Sequence, residues 1–186
     1  MVVSTIGPGS LGGDVLRIDG SVGAEAHLIV ESQSATKIYG PGISRYEARW
    51  RVAEGGTLEL RNEPLLLFGG AAYVSHTEVL LARGARLCMR ECVSRAEDAS
   101  ASARITTIVR RDGRLALRDA MQLGDETLGT RSIGTLVGFG GALRDRPVCS
   151  DVRAGVGTTL LDGTFLRVSG RRAWDVRATL ESAYSL

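Results

Sequence analysis

The sequence predicts an all-β fold with a small α part. The expected body is elongated, two-layer and β-helix-like, made of stacked β-hairpins and closed by a C-terminal amphipathic helix. Three observations predict it. Glycine is abundant, 24 of 186 residues against only 4 prolines, roughly twice the usual ~7% and a mark of many turns between short strands. Glycine turns stand at Gly23, Gly55, Gly84 and Gly113, a period of about 30 residues that implies stacked units. On both sides of these turns apolar residues are spaced by two, the period of a strand with one buried face. A plain β-sandwich would show the same spacing, so periodicity leaves those two architectures open.

In chain order, a first strand alternates Leu16 and Ile18 with Arg17 and Asp19, and Gly23 turns it into Ala26, Leu28 and Val30. The second unit is the clearest. Tyr46, Ala48, Trp50 and Val52 alternate with Arg45, Glu47, Arg49 and Arg51, which describes a sheet buried on one face and solvated on the other. Leu58 and Leu60 follow its turn, and Leu87 and Met89 follow the next. Counting back from each turn aligns Ile18, Trp50, Val79 and Ile108, and also Leu16, Ala48, Thr77 and Thr106. The fourth unit slips by one, to Leu115 and Leu117. Aperiodic polar stretches over 95–103 and 124–129 read as surface loops. From Arg172 to Tyr184, Ala173, Val176, Leu180 and then Ala183 or Tyr184 recur at helical spacing. The expected role of this helix is to cap one end of the stack.

The length suits one domain, residues 1–186, with a real core. A net charge of +2 does not describe a nucleic-acid surface. Lys37 is the only lysine beside a large excess of arginine, as expected from base composition. Three cysteines, Cys88, Cys92 and Cys149, are an odd number and make no complete disulfide set. No basic segment precedes an apolar run at the start, and the longest apolar stretches fall short of the ~18 residues a membrane span needs. A cytoplasmic protein with reduced thiols and no membrane contact is expected.

Gly7-Pro8-Gly9-Ser10-Leu11-Gly12 matches G-x-G-x-x-G, but a dinucleotide site needs a helix after the loop and a strand pattern follows here. No P-loop and no G-x-S-x-G elbow occurs, and His27 and His76 are the only histidines. On a strand, Cys88 and Cys92 lie about 13 Å apart, too far for one ion to take both thiolates. His76 and Glu78 read as a polar strand face. Asp14 follows two glycines; it reads either as a turn cap or as a carboxylate lining the path of a hydrated ion. Lys37 reads as an exposed cation or as the partner of an acid such as Asp14.

Several motifs together resemble the urease accessory protein UreD (UreH) family. They are the turn Gly12-Gly13-Asp14 with its strand, the turn Gly23-Ala24, and Ala35-Thr36-Lys37-Ile38-Tyr39. Leu58-Glu59-Leu60, Glu63-Pro64 and Leu65-Leu66-Leu67-Phe68-Gly69-Gly70-Ala71 continue the likeness. Glu91 and Arg95 match a family glutamate and arginine, with Ser94 in place of a glycine, and Ile133–Val137 is similar to a late family strand. The family has more chain before its Gly-Gly-Asp turn than the 11 residues found here.

The resemblance implies a non-catalytic chaperone that helps insert nickel into the urease apoprotein, with a UreF-like accessory protein and a UreG-like GTPase as further partners. It implies no tightly bound cofactor, only transient nickel(II). Oxygen ligands and water release such an ion more readily than thiolates do, so Asp14 and Glu91 are the candidate path residues. The apolar run gives Leu66, Leu67 and Phe68 as candidate partner contacts. Two other readings remain: a β-stacked binding module unrelated to urease, and a hydrolase on a β-helix-like scaffold with an acidic pair on one sheet face.

Overall fold

The computed structural model describes residues 1–3, 9–96, 100–124, 131–143 and 151–185. In order the elements are β1 (Val2–Val3), β2 (Val15–Val22), β3 (His27–Ser32), β4 (Thr36–Ile38), β5 (Gly42–Val52), β6 (Thr57–Arg61), β7 (Leu65–Leu67) and β8 (Ala71–Leu81). Then come β9 (Arg86–Arg95), β10 (Ser102–Arg111), β11 (Arg114–Leu123), β12 (Ser132–Phe139), β13 (Ala142–Leu143), β14 (Val152–Thr158), β15 (Gly163–Gly170), α1 (Ala173–Ser182) and β16 (Tyr184–Ser185). The expected loops over 95–103 and 124–129 lie partly outside the described residues, as do Gly7 and Pro8 of the glycine loop, and Cys149 lies wholly outside them. Among the described residues no helix is long and apolar enough to cross a membrane.

The body is all-β, two-layered and solenoid-like. One sheet of nine strands runs β1-β3-β6-β9-β12-β15-β14, with β7 pairing β9 and β4 pairing β7. The other runs β11-β10-β8-β5-β2. The chain coils between them: β2 lies in the second sheet, β3 and β4 in the first, β5 in the second, β6 and β7 in the first, β8 and β9 likewise. Successive coils pair in parallel, β2 on β5, β5 on β8, β3 on β6 and β6 on β9. This decides against a plain sandwich of antiparallel hairpins. The last part changes mode. β10 turns through Asp112-Gly113 into the antiparallel β11, and β12, β15 and β14 close the first sheet in antiparallel pairing, with β15 inserted between β12 and β14.

The first three glycine turns therefore cross from one sheet to the other, and the fourth is a hairpin within one sheet. Asp112 and Gly113 both have positive φ, 50° and 74°, as a two-residue type I′ turn requires. This explains the slipped spacing of the fourth unit. Register also corrects the sequence alignment. Trp50 pairs with Val79 as aligned, but Ile18 pairs with Ala48, and Val79 pairs with Val109 rather than Ile108. Gly20 is the true counterpart of Trp50. A Cβ there would run into the Trp50 ring, so Gly20→Ala should cost about 1–3 kcal/mol by overpacking, read as a lower midpoint in urea unfolding.

Strand faces follow the alternation. Trp50, Val52, Leu58, Leu60, Leu87 and Met89 are buried between the sheets. The outer face of the five-stranded sheet carries ion pairs between coils: Arg17–Glu47 at 2.8 Å, Arg51–Asp19 at 2.6 Å and Arg49–Glu78 at 3.2 Å. His76 and Glu78 belong to this solvated face, as expected.

The C-terminal helix has the expected apolar stripe, with Val176 and Leu180 buried. Its position differs from the expectation: it does not cap one end of the stack. It lies on the outer face of the nine-stranded sheet over β9, β12 and β15, where Val176, Leu180, Ala183 and Tyr184 cluster with Cys92, Leu136, Leu166 and Val168. Gly134 permits this close approach, since a Cβ there would lie 2.6 Å from Leu180 Cδ1 and 2.7 Å from Val176 Cγ1. The outward-facing residues of β9 are covered by the helix, and its inward-facing residues are left to line the interior.

Candidate functional site

Two apolar clusters fill the space between the sheets. One, around Trp50, Leu58, Leu87 and Phe139, lies toward the glycine turns. The other, around Ile38, Leu67, Tyr73, Val93 and Leu123, lies toward the opposite end. Polar side chains separate them. On the first sheet, Glu91, Thr135 and Arg167 stand side by side on β9, β12 and β15. On the second sheet, Thr77, Thr107 and Asp119 stand side by side on β8, β10 and β11. The rows are joined across the interior. Thr107 Oγ1 donates to Glu91 Oε2 at 3.5 Å, and Arg167 Nη2 donates to both Asp119 carboxylate oxygens at 2.6 and 2.7 Å. The result is a polar belt through an otherwise apolar core.

Glu91 forms the floor of a cavity of about 120 Å³. The cavity exists because the first sheet is interrupted. β6 pairs with β9 as far as Arg90, and β7 pairs again only from Val93. Pro64, which has no N–H for a ladder, sits in that interruption just before β7. The matching break between β3 and β4 is tied to it: the Glu63 N–H donates to Ser32 Oγ at 2.7 Å and the Thr36 N–H to the Pro64 carbonyl at 3.1 Å. Ser32, Gln33, Ser34, Thr36, Asn62 and Glu63 line the cavity at these breaks, and Tyr46 and Tyr73 line it from the other sheet. Leu16, Ile38, Leu65 and Ile105 complete the lining, so the polar side at the breaks is the part that suits water. The nearby Ser75 hydroxyl is buried without a hydrogen-bond partner among the described residues.

Burial dominates the electrostatics here. It pushes the Glu91 carboxyl up to about 7, and the Asp119 charge adds to this, while the Thr107 hydrogen bond and Arg167 oppose it. Burial, with Glu91 nearby, raises the Tyr46 and Tyr73 phenols well above their ordinary value. The carboxyl thus changes charge near neutrality. Among the described residues no group of three or more His, Cys, Asp or Glu side chains is placed to hold a metal ion.

Asp14 lies elsewhere, on the exposed turn before β2. Its Oδ2 accepts the Leu11 N–H at 2.8 Å, the geometry of a turn cap. Its segment runs between Ser10 and Leu16, both of which line the cavity. Gly12, one of the two glycines before it, packs so closely on Pro41 that a Cβ would strike the Pro41 carbonyl oxygen. Lys37 is exposed and, among the described residues, forms no ion pair, so of its two readings the exposed cation holds and the pairing with an acid such as Asp14 does not. Ala35, Thr36, Lys37 and Tyr39 belong to the layer in which β4 pairs with β7, Thr36 on Leu65 and Lys37 on Leu66. The Tyr39 ring stacks on Phe68 at 4.8 Å between centroids. Leu67 is fully buried in the core, so of the apolar run only Leu65, Leu66 and Phe68 keep some exposed surface. Cys88 and Cys92 face outward on β9 under the helix side. Burial pushes their thiols up to about 11 and about 12, which leaves them protonated at neutral pH.

Sequence reading found Glu91 but missed Tyr46 as a cavity wall, and missed Thr107, Asp119 and Arg167 altogether. A signal was present. Ser44, Ser75, Thr77 and Thr107 occupy inward phases of their strands, where an apolar residue is the rule.

Comparison with known proteins agrees with the motifs. The family model described as UreD urease accessory protein matches residues 1–186. A Frankia casuarinae protein named urease accessory protein UreD is 30% identical over 100% of this chain and 67% of its own length. A Frankia alni protein of the same name is 44% identical over 45% of this chain and 29% of its own length. A Sorangium cellulosum one is 34% identical over 65% of this chain and 41% of its own length. The chain thus spans about two thirds of the first relative, and the matched segments cover less than half of the other two. With a family match over its whole length and Gly12-Gly13-Asp14, Ala35–Tyr39 and Glu91 all in place, the chain belongs to the UreD family of urease accessory proteins.

Proposed function

We propose that this protein is a cytoplasmic, non-catalytic chaperone of urease maturation. In this reading it helps deliver nickel(II) to the urease apoprotein in a complex with a UreF-like accessory protein and a UreG-like GTPase. The observation that carries the nickel part is the Glu91 cavity, a space between the sheets with room for several waters, lined by Glu91 and by a second carboxylate, Glu63, that Arg177 holds at 2.6 Å. A carboxylate with hydroxyl neighbours, beside a second one already held by an arginine, holds a divalent ion weakly, as transit demands. Asp14, beside the lining segment, is the outer acid of the proposed path. Leu66 and Phe68 are the proposed partner contacts.

The test is co-expression with urease subunits and the accessory proteins, followed by affinity purification through this chain. The expected result is recovery of urease and accessory proteins together with a higher soluble yield of the chain. Leu66→Asp should reduce that recovery at least several-fold while leaving far-ultraviolet circular dichroism unchanged. Recovery of none of these proteins would favour the unrelated β-stacked module instead. Turnover on polysaccharide would favour the hydrolase.

A further inference from the structure

The polar belt does not end at Glu91. Along the first sheet it continues through Thr135 to Arg167, two strand spacings or about 10 Å further. There the Arg167 guanidinium holds both oxygens of Asp119, bridging β15 of one sheet to β11 of the other. Both side chains are mostly buried, and Arg167 also lies 5.2 Å from the centre of the Phe165 ring. A buried ion pair at this place costs desolvation that an apolar pair would avoid. Its field acts along the belt, where the low-dielectric core screens charge poorly.

We propose that the Asp119–Arg167 pair sets the cation affinity of the Glu91 cavity. The proposal rests on reading the cavity as a divalent-cation path and adds the pair that tunes it. With both charges present, their fields at Glu91 oppose each other, and the second lining carboxylate, Glu63, is held by Arg177 at 2.6 Å, so the cavity binds a cation only weakly. Removing the guanidinium leaves Asp119 as a second anion on the belt. Removing the carboxylate leaves a fixed cation that repels a divalent ion. Arg167 and Asp119 are positioning residues in this scheme, acting through the field and not as ligands.

The two single substitutions must therefore act in opposite directions, which a purely structural pair would not do. The full chain would be titrated with nickel(II) by calorimetry, and the binding that disappears in Glu91→Gln taken as the cavity component. Arg167→Gln should tighten that component about tenfold or more, and Asp119→Asn should weaken it by a similar factor. The double variant, neutral at both positions, should return to within about threefold of the unaltered protein. Shifts in the same direction, or no shift in either, would overturn the proposal. Should Arg167→Gln not fold, Asp119→Asn decides alone: weakening supports the proposal, and tightening or no change overturns it. Binding that is unchanged in Glu91→Gln would overturn the cation reading of the cavity itself, and the tuning with it. Loss of urease recovery with nickel binding intact would count against the proposed partners only.

Discussion

Replacing Trp50 by Ala should cost about 3–5 kcal/mol, the usual range for truncating a large buried aromatic. Trp50 is 2% exposed, faces inward on β5 and pairs in register with Gly20 on one side and Val79 on the other. The coils on either side cannot collapse into the space without shifting a ladder of parallel hydrogen bonds. Among the described residues its Nε1 is buried without a hydrogen-bond partner, so Trp50→Phe should cost much less than Trp50→Ala. That variant keeps a ring and removes an unpaired donor. The neighbouring Arg49 points to solvent and shares Glu78 with Arg110. Arg49→Ala should cost well under 1 kcal/mol. Urea unfolding of the three variants measures all of this. Equal losses at Trp50 and Arg49 would mean that the two faces of β5 are assigned the wrong way round.

Glu91→Gln should make the protein more stable at alkaline pH and less able to pass nickel. The folded carboxyl titrates near 7, above the ordinary glutamate value of 4.5. The folded state therefore binds more protons than the unfolded state between these values. Stability from this group is fully present below about 4.5, declines as pH rises, and is lost above about 7. Glutamine does not titrate, so the stability difference between variant and parent should shift in favour of the variant across that window. The shift is on the order of 3 kcal/mol. Unfolding midpoints at pH 4.5 and pH 8 test it, and a pH-independent difference would show that the carboxyl is not desolvated as the fold implies. In urease matured with Glu91→Gln, nickel content and activity should fall together while complex assembly persists. Normal nickel loading would remove Glu91 from the path. Asp14→Ala tests the outer acid in the same assay, where failure of assembly would point to its turn-capping bond with Leu11.

Much of the fold was legible because the relevant physics is local. Alternation in Tyr46–Val52 fixes which side chains of β5 are buried, since a strand turns every second residue to the same face. The three- and four-residue spacing from Ala173 to Leu180 likewise marks the apolar stripe of α1. The Asp112-Gly113 pair carried the hairpin signal in plain view, and only the strength of the glycine repeat hid it. The family motifs were also readable as a set, and the structure gives their reason. Gly12 leaves room for Pro41, and the Thr36–Ile38 segment pairs with the Leu65–Leu67 segment one coil later.

The site was legible only as a single acid. Glu91 could be picked out, but its company could not, because Thr107, Asp119, Thr135 and Arg167 come from four strands spread along the chain. Their meeting depends on registers set by the length of each turn. The first coil is offset from the second in a way that the glycine positions misstate. The helix, too, was predicted with the right face and the wrong place, since its stripe fits any apolar surface and Gly134 on distant β12 selects the one it covers. What the sequence determined by itself was the facing of the strands in the first three coils, the helix and the family; in β10 it took Ile108 for the inward residue where Val109 is buried. What only the tertiary structure decided was which residues stand next to one another across the core. The physical reason is that side-chain facing follows from backbone geometry within a few residues. The burial that raises the Glu91 carboxyl, and the field of Arg167 and Asp119 beside it, arise only once both sheets have closed.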